Sequence, residues 1–317
     1  MGNNPLEVYT STGIKLLHHP DAVKLFKERG LATPISLQVA PTSRCNLKCE
    51  FCSNANREKD EEIDIDSLVK VVGKLQKIGL KTVEWTGGGD PTMCAWTGEA
   101  IDIFDAWGLE QGMISNGIRI RELVATRSLD LDQLKWLRIS LNSLDYIENL
   151  MIPTKYIDGT LGFSYCWNGS ESNLRRAADF AKQHSGAYLR VVPNCLADQA
   201  GLDAQDALLT KLVSDIGFPA FYQAKEYHKP SGCLWGWFKP FIDTDSWVYP
   251  CSSVVLNSGA DRHFHHKYRL CHMTELPDFY ASKAPVIAPD HCDHCVFWKQ
   301  NENLMGLRFP NGMENFI

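Results

Sequence analysis

Nothing in the 317 residues resembles a membrane segment or an export signal. No stretch approaches the ~20 consecutive apolar residues that a bilayer span needs. The opening MGNNPLEVYTSTG has neither the basic start nor the apolar run of a secretory signal, and Met1-Gly2 with Tyr9-Thr10 makes no myristoylation site. Internal repeats and low-complexity tracts are missing, which argues against a solenoid and against a disordered chain. Surplus positive charge is missing too. Lys+Arg number 32 and Asp+Glu 38, a formal net charge of −6. That disfavours a broad phosphate-binding surface, although a local basic stripe is still allowed. A soluble, cytoplasmic protein with no membrane association is the expectation. What the chain does have is a hydrophobic fraction of 44%, ample for a core, and 11 cysteines, several closely spaced. Without an export signal, such spacing points to metal before disulfides.

Periodicity divides the chain. Residues 1–34 mix short helical signals with turns and form an N-terminal extension. The run Ile35 to Ala40 alternates as a strand and leads through Pro41 into a cysteine loop. Helical spacing follows from Ile63 to Ile78 (Leu68, Val69, Val72, Leu75), then a strand from Lys81 to Trp85. Further helices are predicted over 99–107, 173–184 and 204–216, and strands over 111–115, 137–141, 188–192 and 220–223. Strands alternating with helices imply a parallel sheet covered by helices, here an α/β fold with a partial (β/α)6 TIM-like barrel over 35–228. Chemistry in such folds sits at the C-terminal strand ends. Beyond residue 229 cysteine, tryptophan and histidine become dense, so 229–317 reads as a small domain organised around metal.

The loop after the first strand is Arg44-Cys45-Asn46-Leu47-Lys48-Cys49-Glu50-Phe51-Cys52, a C-x3-C-x2-C pattern. Three thiolates hold three irons of a [4Fe-4S] cube and leave the fourth open to a small molecule. A zinc site would need a fourth ligand nearby. The pattern resembles the signature of the radical S-adenosylmethionine (radical SAM) superfamily. That resemblance implies a cluster on Cys45, Cys49 and Cys52, SAM chelated at the open iron, and Phe51 beside the adenine. Gly87-Gly88-Gly89-Asp90, after the second strand, resembles the family's Gly-Gly-Glu-Pro segment, which holds the methionine amino group; Asp90 is one methylene shorter than the usual glutamate. Ser115, Asn116, Ser140 and Asn142 fall on the same rim, where family members bind the ribose and methionine of SAM, and Arg190 is placed to pair SAM's carboxylate. Each of these also fits a plain turn or core-edge role.

Cys233 and Cys251 form a C-x17-C pair around an expected hairpin turning at Asp245-Ser246, and Cys292 and Cys295 form C-x2-C. Four thiolates then meet around one metal. This resembles the twitch domain, a shortened SPASM domain, in the arrangement of an amino-cyclitol dehydrogenase. It implies an auxiliary [4Fe-4S] cluster with no iron open to substrate. Zinc on the same cysteines is the competing assignment, with Cys271 or one of His263, His265, His266, His272, His291 and His294 as a replacement ligand. Cys94, Cys166 and Cys195 are expected as buried small hydrophobes, Cys94 with the option of facing the active site.

The resemblance implies one-electron cleavage of SAM to methionine and a 5′-deoxyadenosyl radical that removes a substrate hydrogen atom, with a flavodoxin- or ferredoxin-type reductant as partner. A small polar substrate (a sugar, cyclitol or nucleoside), oxidised or rearranged, is the first expectation. The alternative is a macromolecule: a hypermodified base in DNA or RNA, possibly viral, or a ribosomal peptide. Arg262, Lys267 and Arg269 are the only basic hint toward nucleic acid. A non-catalytic metal-stabilised binding module is the third possibility.

Overall fold

In the computed structural model residues 5–257, 266–290, 292–310 and 312 are described. Arg262, His263, His265 and His291 lie outside them. Seven parallel strands form the body: β1 Ser36–Val39, β2 Thr82–Trp85, β3 Glu110–Ser115, β4 Trp136–Ser140, β5 Thr160–Cys166, β6 Tyr188–Val192 and β7 Ala220–Tyr222. Period-2 alternation gives the sheet two unlike faces. Val39, Trp85, Met113, Leu137, Phe163 and Leu189 bury into one core with the helices. Their neighbours Gln38, Glu84, Arg138 and Arg190 point the other way and line a cavity inside the curved sheet.

Helix α3 (Ile65–Lys77) starts where Asp64 accepts from the Ser67 amide, and it buries Leu68, Val71, Val72 and Leu75. Val71 takes the core position expected of Val69, while Ile78 stays exposed. Ser170 and Asp198 cap α6 (Glu171–Lys182) and α7 (Gln199–Ile216) in the same way. Strand β5 has no counterpart in the sequence reading; its outward residues Leu161, Phe163 and Tyr165 alternate, but the turn residues Asn168-Gly169-Ser170 before α6 masked it.

The C-terminal region is not a separate sheet. Strands β8 (Phe241–Ile242), β9 (Trp247–Tyr249) and β10 (Cys271–His272) extend the barrel sheet, in the order β10-β9-β8-β1-β2-β3-β4-β5-β6-β7. β8 runs parallel to β1 and antiparallel to β9, so the hairpin at Asp245-Ser246 grows from the barrel edge. The last helix (Trp298–Arg308) packs with Phe26 of the helix Pro20–Arg29, Leu234 and Phe238 in a second core through Leu304. Residues 5–29 are likewise docked. Tyr9 stacks on Tyr188 at 3.9 Å, and Lys239 Nζ donates to Ser11 Oγ at 2.8 Å. Among the described residues no helix is long and apolar enough to cross a membrane.

Candidate functional site

The cysteine loop is fixed to the end of β2 by backbone pairing. The Gly89 amide donates to the Thr42 carbonyl at 2.8 Å, and the Asp90 amide to Arg44 at 2.9 Å. A Cβ on Gly89 would overlap the Arg44 carbonyl, so glycine there serves the close approach of these two segments. Arg57 donates to the Ser43 carbonyl at 2.6 Å and to Cys52 Sγ at 3.7 Å. Asn116 Nδ2, from the end of β3, donates to Asn46 Oδ1 at 2.7 Å and lies 3.8 Å from Cys45 Sγ. Burial pushes the Cys49 thiol up to about 11, reinforced by the neighbouring Cys52, while Tyr146 opposes the shift. Cys45 is raised chiefly by burial as well. Three half-buried thiols sharing one loop repel one another as thiolates, and a cationic iron core relieves that repulsion. The donor set therefore fits a cluster. Phe51 stands half-buried beside Cys52.

Asp90 works differently from the sequence expectation. Its buried carboxylate accepts from the Thr92 amide and hydroxyl, from Ser115 Oγ at 3.1 Å and from the Asn116 amide at 2.6 Å. It ties the β2 and β3 ends together, and Ser115 is occupied in the same knot. The Gly87 carbonyl accepts from Asn54 Nδ2 at 3.3 Å. Asn142 is committed too: its Oδ1 accepts from the Cys166 amide at 2.8 Å, and its Nδ2 donates to the Cys166 carbonyl at 2.9 Å. Ser140 is half-buried at the end of β4. Asp145, missed in the sequence because no motif marks it, gathers donors from Asn142, Tyr165 and Asn168 near Cys49, and burial raises its pKa. Cys166 and Cys195 are half-buried on this rim, both 3.6 Å from the Pro193 carbonyl, whereas Cys94 is buried.

Cys233, Cys251, Cys292 and Cys295 line one small apolar cavity with Trp235, Tyr268 and Phe297. Cys271 is elsewhere, in the main core, so it is no replacement ligand. Buried Asn301 accepts from the Leu234 and Trp235 amides at 2.8 and 2.9 Å and donates to Cys295 Sγ at 3.9 Å. Asn257 Nδ2 reaches Cys292 Sγ at 3.9 Å. Burial pushes Cys233 to about 11, and burial with the Cys233 and Cys295 charges raises Cys251. Among the described residues no three His, Cys, Asp or Glu side chains close around a single ion. Arg269 is no free surface cation. It pairs with Asp245 at 2.7 Å and lies 4.8 Å over Trp247.

A cavity of about 510 Å³ occupies the barrel lumen. Its wall includes the first residues of five strands (Ser36, Thr82, Trp136, Thr160, Tyr188), so it reaches the N-terminal strand ends, opposite the cysteine loop. Ser253, Val296 and Phe297, neighbours of the C-terminal cysteines, close its side.

A family model described as the radical SAM superfamily matches residues 39–161. Mycofactocin maturase MftC of Mycobacterium tuberculosis is 33% identical over 101 residues, 32% of this chain and 26% of the relative; the match thus spans about a quarter of that protein. PqqA peptide cyclase of Rhodopseudomonas palustris is 22% identical over 270 residues, 72% of this chain and 70% of its own. The crystal structure of Streptococcus suis SuiB bound to precursor peptide SuiA aligns over 93% of this chain and 82% of that chain, with a TM-score of 0.54 and 14% identity. The matched span runs from the last residue of β1, through the cysteine loop and the β2 and β3 ends knotted to it, into β5, and over these residues the chain is similar to the radical SAM superfamily.

Proposed function

We propose that this protein is a radical SAM enzyme that removes a hydrogen atom from an amino-acid residue of a peptide substrate. Cys45, Cys49 and Cys52 would hold the catalytic [4Fe-4S] cluster, and Cys233, Cys251, Cys292 and Cys295 an auxiliary one. When bound, the catalytic cluster and SAM supply a 5′-deoxyadenosyl radical. The chain's own contribution is placement and exclusion of water. Asp90, Ser115 and Asn116 set the shape of the SAM-side rim, with Phe51, Ser140 and Asn142 around it. The auxiliary site, with four protein thiolates, offers no open iron and suits electron transfer out of the substrate.

The observation that carries this reading is the lumen cavity of about 510 Å³, walled by barrel strands and, through Trp235 and Phe297, by the C-terminal cysteine region. Such a volume takes one side chain or one small metabolite. Peptide is preferred because the relatives aligned over most of the chain are named for peptide chemistry: PqqA peptide cyclase, and SuiB with its precursor peptide. A free cyclitol, sugar or nucleoside is the second reading, favoured by the four-cysteine spacing alone. For nucleic acid, the Asp245 partner of Arg269 removes one of the three basic residues that suggested it.

Anaerobic reconstitution followed by reduction with dithionite in the presence of SAM tests the proposal. Two clusters predict about eight irons per chain and release of 5′-deoxyadenosine. Candidate peptides should then change mass in the same assay. Absence of both iron and SAM cleavage would sink the reading. SAM cleavage that only a small metabolite stimulates would favour the second.

A further inference from the structure

Lumen-facing residues carry an unusual charge balance. Lys15, Lys135, Arg138, Arg190, Lys225 and Lys239 line the cavity, and Glu84 is its only carboxylate among the described residues; Lys135 pairs with Glu110 at 3.5 Å. Lys239 is accounted for. Its Nζ lies 2.6 Å from Glu84, whose other oxygen accepts from Gln38 at 3.1 Å. Lys15 caps the Val8 carbonyl at 3.0 Å. The remaining three have no acidic partner among the described residues.

Arg138, only 8% exposed, donates to neutral oxygens, Tyr188 Oη at 3.0 Å and the Tyr9 carbonyl at 2.6 Å. Its guanidinium lies 5.4 Å from the Trp136 ring centroid and 5.7 Å from that of Tyr188. Gly162 makes this possible, because a Cβ there would overlap the Tyr188 ring. Arg190 has one neutral acceptor, Gln223 Oε1 at 3.2 Å, while its Nε is shielded from solvent with no hydrogen-bond partner. Lys225 has no hydrogen bond or ion pair among the described residues and stands close enough to Arg190 and Arg138 to feel their charge. A buried unpartnered guanidinium NH and three cations without a direct ion pair, of which only Arg138 is near enough to act on Glu84, are costly in a folded chain. Such a cluster is retained where a ligand supplies the missing charge. Two guanidinium forks match the planar geometry of a carboxylate.

We propose that the lumen binds a substrate carboxylate on Arg138, Arg190 and Lys225, so that the acceptor of the reaction is an acidic residue of a peptide or a free carboxylic acid. The site deepens the proposed function: the anion anchors the substrate in the lumen, beside the C-terminal cysteine region. Arg190 then serves the substrate and not the carboxylate of SAM.

Calorimetry on the reconstituted, SAM-saturated holoenzyme separates these assignments. The probes are N-acetylglutamate amide for a peptide acid, glutarate for a free acid and uncharged glutaramide as control. Expected are millimolar or tighter binding of either acid, none of glutaramide, and an affinity loss of about tenfold or more in Arg138→Gln, Arg190→Gln and Lys225→Gln. Preference between the two acids identifies the source of the carboxylate. Equal binding of acid and glutaramide, or no binding of either acid, overturns the proposal. So does an Arg190→Gln variant that weakens SAM while leaving the acids alone. The Gln variants remove the charge but keep a polar end, and thermal melting checks that each is folded. Acid binding without reductive SAM cleavage would overturn the proposed function and leave the anion site standing; the reverse pair of results would do the opposite.

Discussion

Trp235 and Phe297 stack with ring centroids 5.9 Å apart, and both rings line the four-cysteine cavity and the lumen cavity at once. They are the partition between the proposed auxiliary cluster and the proposed substrate. Phe297→Ala removes half of that partition. The expected results are a loss of about 3 kcal/mol in stability and faster bleaching of the auxiliary cluster's visible absorbance in air. Unchanged bleaching would show that the chamber is sealed by other residues.

Asp90→Asn should be more harmful than its size suggests. One carboxylate serves Thr92, Ser115 and Asn116, and an amide turns an acceptor into a donor facing donors. The expected cost is about 3 kcal/mol, read as a lower melting temperature together with weaker SAM binding. Asp90→Glu restores the family's usual acid but adds a methylene to a site only 3% exposed; about 1–3 kcal/mol of strain is expected.

The two cysteine sets should separate by iron content. Replacing Cys45, Cys49 and Cys52 by alanine is expected to leave about four irons per chain and abolish 5′-deoxyadenosine formation. Replacing Cys233, Cys251, Cys292 and Cys295 is expected to leave about four irons with SAM cleavage retained and substrate turnover lost. Cys271→Ala should leave iron content unchanged, because that thiol sits in the core of the β10 edge. Iron analysis with activity assays checks all three.

Glu84 and Lys239 predict an acid limit to stability. Burial alone would raise the Glu84 pKa, but the Lys239 ammonium and the Gln38 amide hold it below its ordinary value. Its stabilisation is therefore present above the unfolded carboxylate pKa of about 4.3 and lost as pH falls through the lower folded value. Glu84→Gln leaves Lys239 buried without its counter-charge and should cost about 3–5 kcal/mol. Denaturant melts across acid pH give both numbers.

Lys225 predicts opposite alkaline effects on stability and binding. Burial, then the charges of Arg190 and Arg138, lower its pKa to about 8, with Cys195 and Cys166 opposing. Unliganded protein should gain stability as pH rises from about 8 toward the ordinary lysine value of 10.5, since the unfolded chain then binds more protons. Glutarate affinity should fall over the same rise, as the ammonium is lost. Melting and calorimetry on one pH series test the pair, and Lys225→Gln should flatten both curves.

Much of the catalytic end was legible because its determinants are close in sequence. The three thiolates of the first set come from one short loop, so Cys45, Cys49 and Cys52 announce themselves, and the β2 glycines follow them in order along the chain. The strands were legible where apolar residues alternate between clear breakers. Strand β5 was not, and neither was the joining of β8 to β1, since which edge a short hairpin adds to depends on surfaces formed by distant residues. Roles also moved. Asp90 and Asn142 have the right identity and rim position for ligand contacts, yet their polar atoms are committed to neighbouring backbone and hydroxyls.

By itself, the sequence determined the α/β barrel class, the three-cysteine loop with its resemblance to the radical SAM signature, and the spacing of four C-terminal cysteines, whereas the placing of Cys271 in the main core was decided by the fold. The lumen was decided by tertiary structure. Arg138, Arg190 and Lys225 are separated by tens of residues and carry no motif. Arg138 and Arg190 meet because every second residue of parallel strands faces inward and because the register sets Arg138 on β4 opposite Gly162 on β5, leaving room for the Tyr188 ring beside it; Lys225 joins them from the segment after β7. Charge brought together in this way has no signature along the chain.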